Sequence, residues 1–140
     1  MTLRGARSLW TVLTATVVVG FAASLLGCAS AGPLTPVAVS DLKSVAGTWK
    51  GLIYRYGFDP DYVELTIRED GSYDVRSLQT IGASRGRGKI VIREGRLIIE
   101  GEKGRGTATV LSTRGGDRVM NVDATLNDNS ILSAKLSPSR

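Results

Sequence analysis

Alternation with a period of two, broken by tight-turn dipeptides, limits this chain more than any other feature. In "YVELTIREDGSYDVRS" Val63, Leu65 and Ile67 share one parity, while Glu64, Thr66 and Arg68 share the other. Successive side chains of a strand point to opposite faces, so this stretch has one apolar face. Asp70-Gly71 supplies a tight turn, after which Tyr73 and Val75 return on the apolar face. The segment is a hairpin. "RGKIVIREGRLIIEG" repeats the pattern about Glu94-Gly95, with Ile90 and Ile92 facing Leu97 and Ile99.

Further strands are expected at 48–54, 106–112, 118–126 and 131–137, with a short one at 78–82. Gly115-Gly116-Asp117 and Asn127-Asp128-Asn129 turn the chain between the last three. The connections are too short for parallel crossovers, which need a dozen or more residues, so the sheet is antiparallel and sequential. Helical spacing is confined to "DLKSVAG" at 41–47. "REDGSYDV" and "REGRLIIE", like "GRGKIVI" and "GRGTATV", read as similar hairpins selected by the same turn chemistry.

Such a meander can bury its apolar face and remove its edges by curling shut. The predicted fold is all-β, a small antiparallel up-and-down barrel of seven or eight strands. A two-layer β-sandwich is the alternative. With mostly aliphatic residues and few aromatics, the interior is expected to be largely filled by side chains.

The first 28 residues follow a different rule. Arg4 and Arg7 precede an uncharged apolar run from Leu9 to Leu26, and Gly27 leads to Cys28, the single cysteine. That is the layout of an export signal, expected as a helix. Its length also suits a spanning anchor, which needs about 20 residues. "SLLGCAS" resembles the lipobox of bacterial lipoproteins. Leu25 matches the branched position and Gly27 the small residue before the cut; Leu26 stands where a smaller residue is usual.

The resemblance implies a signal peptide over 1–27, cleavage before Cys28, and acylation of that cysteine, palmitate included. Ala29 implies the outer membrane, facing the periplasm, in a Gram-negative host. Each buried methylene contributes about 0.8 kcal/mol, and more than one chain makes a stable anchor. A single acylated cysteine also fits an oxidising compartment, where a free thiol is a liability.

Residues 28–40, small, polar and proline-bearing, are expected to form a flexible tether, with the barrel domain at 41–140. Removing Arg4 and Arg7 leaves 16 basic residues against 13 acidic ones, a charge of about +3. On an exported protein, that modest charge gives no reason to expect nucleic acid as a partner.

"VAGTWKG" at 45–51 resembles the first strand of calycins, the lipocalin and avidin superfamily of closed antiparallel barrels. The resemblance implies that Trp49 plugs the closed end, Gly47 lets the backbone pass close beneath, and Lys135 stacks on the tryptophan where arginine is usual. It also implies binding of a small apolar molecule. Trp10 leaves with the signal, so the tryptophans of an avidin biotin site are missing.

The chain contains no histidine, which removes imidazole catalysis and the commonest metal ligand. Acylation would remove the thiol of Cys28. No catalytic residue, metal ligand or cofactor is assigned, and Asp59-Pro60-Asp61 with Glu64 reads as a solvated turn. Two surfaces stand out. Tyr54, Tyr56, Phe58 and Tyr62 crowd one loop, the candidate contact for a ligand or partner. Arg85, Arg87 and Arg105, with Lys89, Arg93, Arg96 and Lys103 nearby, form a candidate contact for anionic headgroups.

The sequence thus describes a non-enzymatic, lipid-anchored envelope protein whose barrel binds a small apolar molecule or an envelope component. The alternative is an accessory lipoprotein that contacts another envelope protein. Its oligomeric state is not assigned.

Overall fold

In the computed structural model, residues 32–78 and 85–140 are described. The signal peptide with Leu25, Leu26 and Gly27, the lipidation site Cys28, and residues 79–82 of the expected short strand lie outside them.

Nine strands form one antiparallel sheet: β1 (Thr35–Val37), β2 (Gly47–Arg55), β3 (Asp61–Ile67), β4 (Ser72–Ser77), β5 (Arg85–Arg93), β6 (Arg96–Gly101), β7 (Gly104–Ser112), β8 (Arg118–Leu126) and β9 (Ile131–Pro138). From β2 to β9 each strand bonds to the next, and β2 also bonds to β9. Trp49 lies opposite Leu65 on one side and Pro138 on the other. The meander therefore closes into an eight-stranded barrel, which excludes the sandwich.

Register follows the alternation. Val63, Leu65 and Ile67 are buried, and Ile90 and Ile92 pair with Ile99 and Leu97. The Glu94-Gly95 turn has both residues at positive φ, 50 and 76, which matches the right-handed twist of a two-residue hairpin. On the outer face Glu64 sits in register between Lys50 and Arg76 and pairs with both, at 3.2 and 2.6 Å. The hydrogen bond from Lys50, then that from Arg76, holds its carboxyl below the ordinary range.

One end of the barrel is sealed. Ile67, Ile90, Leu97, Val110 and Met120 fill it, joined by Trp49 and Val45. A single 3₁₀ turn, Leu42–Ser44, capped by the Asp41 carboxylate on the Lys43 N–H at 3.0 Å, lies against this end and is all that forms of the helix. Leu42 packs on the core.

The flexible tether needs correction over its described part. Thr35–Val37 pairs with β7, placing Val37 opposite Val110. Val39 is 3 % exposed and its N–H donates to the Gly95 carbonyl at 2.9 Å. The cause lies in the neighbour. β7 outruns β6, whose pairing stops at Ala108, and leaves Val110–Ser112 with unpaired backbone groups on that edge. β1 satisfies them. Local composition cannot register a vacancy on a strand seventy residues away.

Val39→Ala should therefore lower stability by about 1–2 kcal/mol in urea unfolding. A true tether would leave the midpoint unchanged.

Candidate functional site

The opposite end of the barrel is built from smaller side chains. Its inward positions include Gly86, Gly104, Ala124 and Ala134, with aliphatic Ile53, Val63, Val75, Ile99, Leu126 and Leu132 between them. These residues leave a cavity of about 590 Å³, open at the mouth and floored by Leu136. The filled interior expected from composition is corrected to a barrel filled at one end only. Composition counts aliphatic residues; it does not show that glycine and alanine hold the inward parity near the mouth.

Tyr73 stands in the cavity wall, 8 % exposed. Its hydroxyl lies close over Gly101, where a Cβ would come within 2.2 Å of the oxygen, so a larger residue there would have to displace the Tyr73 side chain. Among the described residues that hydroxyl has no hydrogen-bond partner. Burial, and then the charge of Glu102, push its pKa up.

The rim is polar. Arg55 shares the inward parity of Trp49 and Ile53, lies over the Phe58 ring at 4.6 Å, and pairs with Asp128 at 3.0 Å. Its buried Nε has no acceptor among the described residues. Hydrogen bonds from Ser130 hold the Asp128 carboxyl below the ordinary range. Asp61 accepts a bond from the Ser77 hydroxyl. Arg87 pairs with Glu102 at 2.8 Å, which raises the arginine's pKa. Arg85, Lys103 and Arg105 complete the lining and have no ion-pair partner among the described residues.

The expected site residues divide. Trp49 is buried at the closed end and donates its Nε1–H to the Val45 carbonyl at 2.9 Å. Lys135 does not stack on it: Ala134 and Leu136 take the inward parity, and Lys135 lies exposed on the outer face. Gly47 serves a different purpose from the one expected, since no atom lies within 4 Å of where its Cβ would be, whereas its φ of +126 is one that other residues rarely adopt.

Of the four loop aromatics only Phe58 lines the cavity; Tyr54 and Tyr62 lie on outward parity, and Tyr56 is 97 % exposed at the tip. Arg85, Arg87 and Arg105 stand on the outward parity of β5 and β7 at the ends of these strands and, with Lys103, border the mouth. The acidic run splits, Asp61 lining the cavity and Glu64 pairing outside. No group of three or more histidine, cysteine, aspartate or glutamate residues among the described residues is arranged to hold a metal ion. Arg55 and Tyr73 were not expected as site residues. Arg55 was legible as the third inward position after Trp49, at the end of the strand.

No protein-family model matches the chain, and no curated protein matches it. Among solved structures it is similar to a redesigned β-barrel, with a TM-score of 0.50 and 15 % identity over 74 % of this chain and 99 % of that one. At that identity the likeness concerns the fold alone.

In an ultraviolet absorbance titration one tyrosine should ionise above the range of the others, and Tyr73→Phe should remove that late phase. The sign follows from linkage. A raised pKa means that the folded state holds the neutral phenol, so this contribution to stability is full below pH 10.0 and is lost as pH rises. Four tyrosines titrating together would contradict the buried placement.

Proposed function

We propose that this domain is a non-enzymatic binding barrel for a small apolar molecule, carried in the cell envelope by acyl chains on Cys28. One observation carries the binding reading: a cavity of about 590 Å³, lined mainly by aliphatic side chains and open at one end. That volume falls within the roughly 300–1,000 Å³ of small-molecule sites. Water in such a cavity has few polar partners, so an apolar ligand displaces it favourably.

The described chain enters the domain at the sealed end, with Thr35 beside Ser112, so β1 leaves the mouth unobstructed. The envelope location rests on the lipobox resemblance, with the outer membrane facing the periplasm as its expected site.

A second reading has its own observation. Tyr54, Tyr56 and Tyr62 are exposed outside the cavity, and Ile131 is 69 % exposed. An accessory lipoprotein that contacts another envelope protein would use such a surface. In-cell crosslinking from Tyr56 separates the two, since a single dominant protein adduct supports the second.

The neutral fluorophore 1-N-phenylnaphthylamine should bind the protein and brighten. Ala134→Phe, which fills the cavity, should weaken it at least about tenfold, at an overpacking cost of about 1–3 kcal/mol in stability. Ala124→Leu should act in the same direction. Absence of binding, or equal affinity in both variants, would count against the cavity.

For the anchor, Cys28→Ser should abolish incorporation of labelled palmitate and release the protein from the membrane fraction. Unchanged fractionation would refute the lipobox reading.

A further inference from the structure

We propose that Tyr73 makes the cavity selective for a neutral apolar molecule that carries a hydrogen-bond acceptor, a carbonyl, ether or hydroxyl oxygen, to which the phenol donates. This inference rests on the binding reading above and names the class of ligand.

Register places the phenol. Tyr73 holds an inward position on β4 opposite Gly88, Gly88 lies opposite Gly101, and Gly101 opposite Gly104, so three glycines continue its row across β5, β6 and β7. None of them has a side chain to stand in the way. The tyrosine therefore crosses the inner face of β5, and its hydroxyl reaches Gly101, where a Cβ would come within 2.2 Å of the oxygen.

A buried tyrosine ordinarily finds a partner for its hydroxyl. Tyr73 is 8 % exposed and lines the cavity, yet its hydroxyl has no partner among the described residues. The Arg87 carbonyl, which borders Gly101, already accepts the Glu102 N–H at 3.1 Å. The next inward residues on β4 and β6, Val75 and Ile99, are aliphatic. A water would need several polar partners to settle here, and the aliphatic wall supplies few. An oxygen carried on an apolar ligand needs only the phenol.

Charge is disfavoured at this point. Burial and then the charge of Glu102 raise the pKa of Tyr73, so the phenol keeps its proton and remains a donor. The same carboxylate disfavours an anion set against the hydroxyl. Cations do not compensate from the inward strand positions: Arg85, Arg87 and Arg105 take the outward parity, and inward Arg55 is held by Asp128 at 3.0 Å. An ion would lose its hydration against an aliphatic wall, whereas a ketone, ether or alcohol loses that of a single oxygen and regains a hydrogen bond. A hydrocarbon would fill the volume and leave the phenol bare.

The test is displacement of 1-N-phenylnaphthylamine from the full-length protein by probes that share its naphthyl body: 2-acetylnaphthalene, its hydrocarbon isostere 2-isopropenylnaphthalene, and 2-naphthoate. Tyr73→Phe should weaken the ketone about tenfold, or about 1.4 kcal/mol, while the hydrocarbon keeps its affinity within about twofold. In the parent the ketone should compete better than naphthoate. Infrared difference spectra of the isotope-labelled carbonyl give a readout that needs no variant: the bound stretch should lie at lower frequency than in hexane.

A ketone unaffected by the substitution, ketone and hydrocarbon weakened alike, or a bound stretch at its hexane position would overturn the role of Tyr73. Naphthoate competing better than the ketone would overturn the neutral class. If the fluorophore itself fails to bind, the cavity reading fails, and this inference with it; binding without the Tyr73 effect leaves that reading standing and sinks this inference alone.

Discussion

Backbone hydrogen bonds between β2 and β9 join the first and last strands of the meander, and every other feature depends on that closure. An open sheet of these strands would leave one apolar face wet and two edges unpaired. Once the edges meet, parity alone decides which residues face inward. Gly51 marks how tight the closure is: a Cβ there would come within 2.0 Å of the Lys135 carbonyl oxygen. The two strands meet at this point only because no side chain intervenes.

Closure makes an inside, and the distribution of side-chain size along the axis gives it two different halves. Trp49, Ile67, Ile90, Leu97 and Met120 fill one half to the exclusion of solvent. Glycine and alanine on β5, β7, β8 and β9 leave the other half hollow. Burial of the first half stabilises the fold, so the hollow half contributes less to holding the barrel together.

Much of this was legible in the sequence, since alternation and turn dipeptides are local signals. Strands, order and inward residues such as Leu65, Ile90 and Val122 follow from a period of two, and Asp70-Gly71 and Glu94-Gly95 fix the hairpins. What escaped reading was non-local. β1 depends on an edge of β7 that only the finished sheet exposes. The cavity depends on which small residues fall at the same height in different strands. Lys135 illustrates the limit of resemblance, because the parity of Ala134 and Leu136 turns it outward whatever its counterpart does in other barrels. That Arg85, Arg87 and Arg105 stand at neighbouring strand ends could be anticipated from hairpin geometry, but their place beside the opening of a cavity could not.

The central claim is that one half of the barrel admits an alkyl chain and the other does not. Methyl-resolved NMR with a chain carrying a nitroxide at its tail tests it directly. Paramagnetic broadening should fall on the cavity-lining methyls of Val63, Val75, Leu132 and Ala134 and spare Val45, Val110 and Met120 at the sealed end. Broadening confined to the outward-facing methyls of Val91 and Ile131, or spread evenly over both halves, would contradict the account.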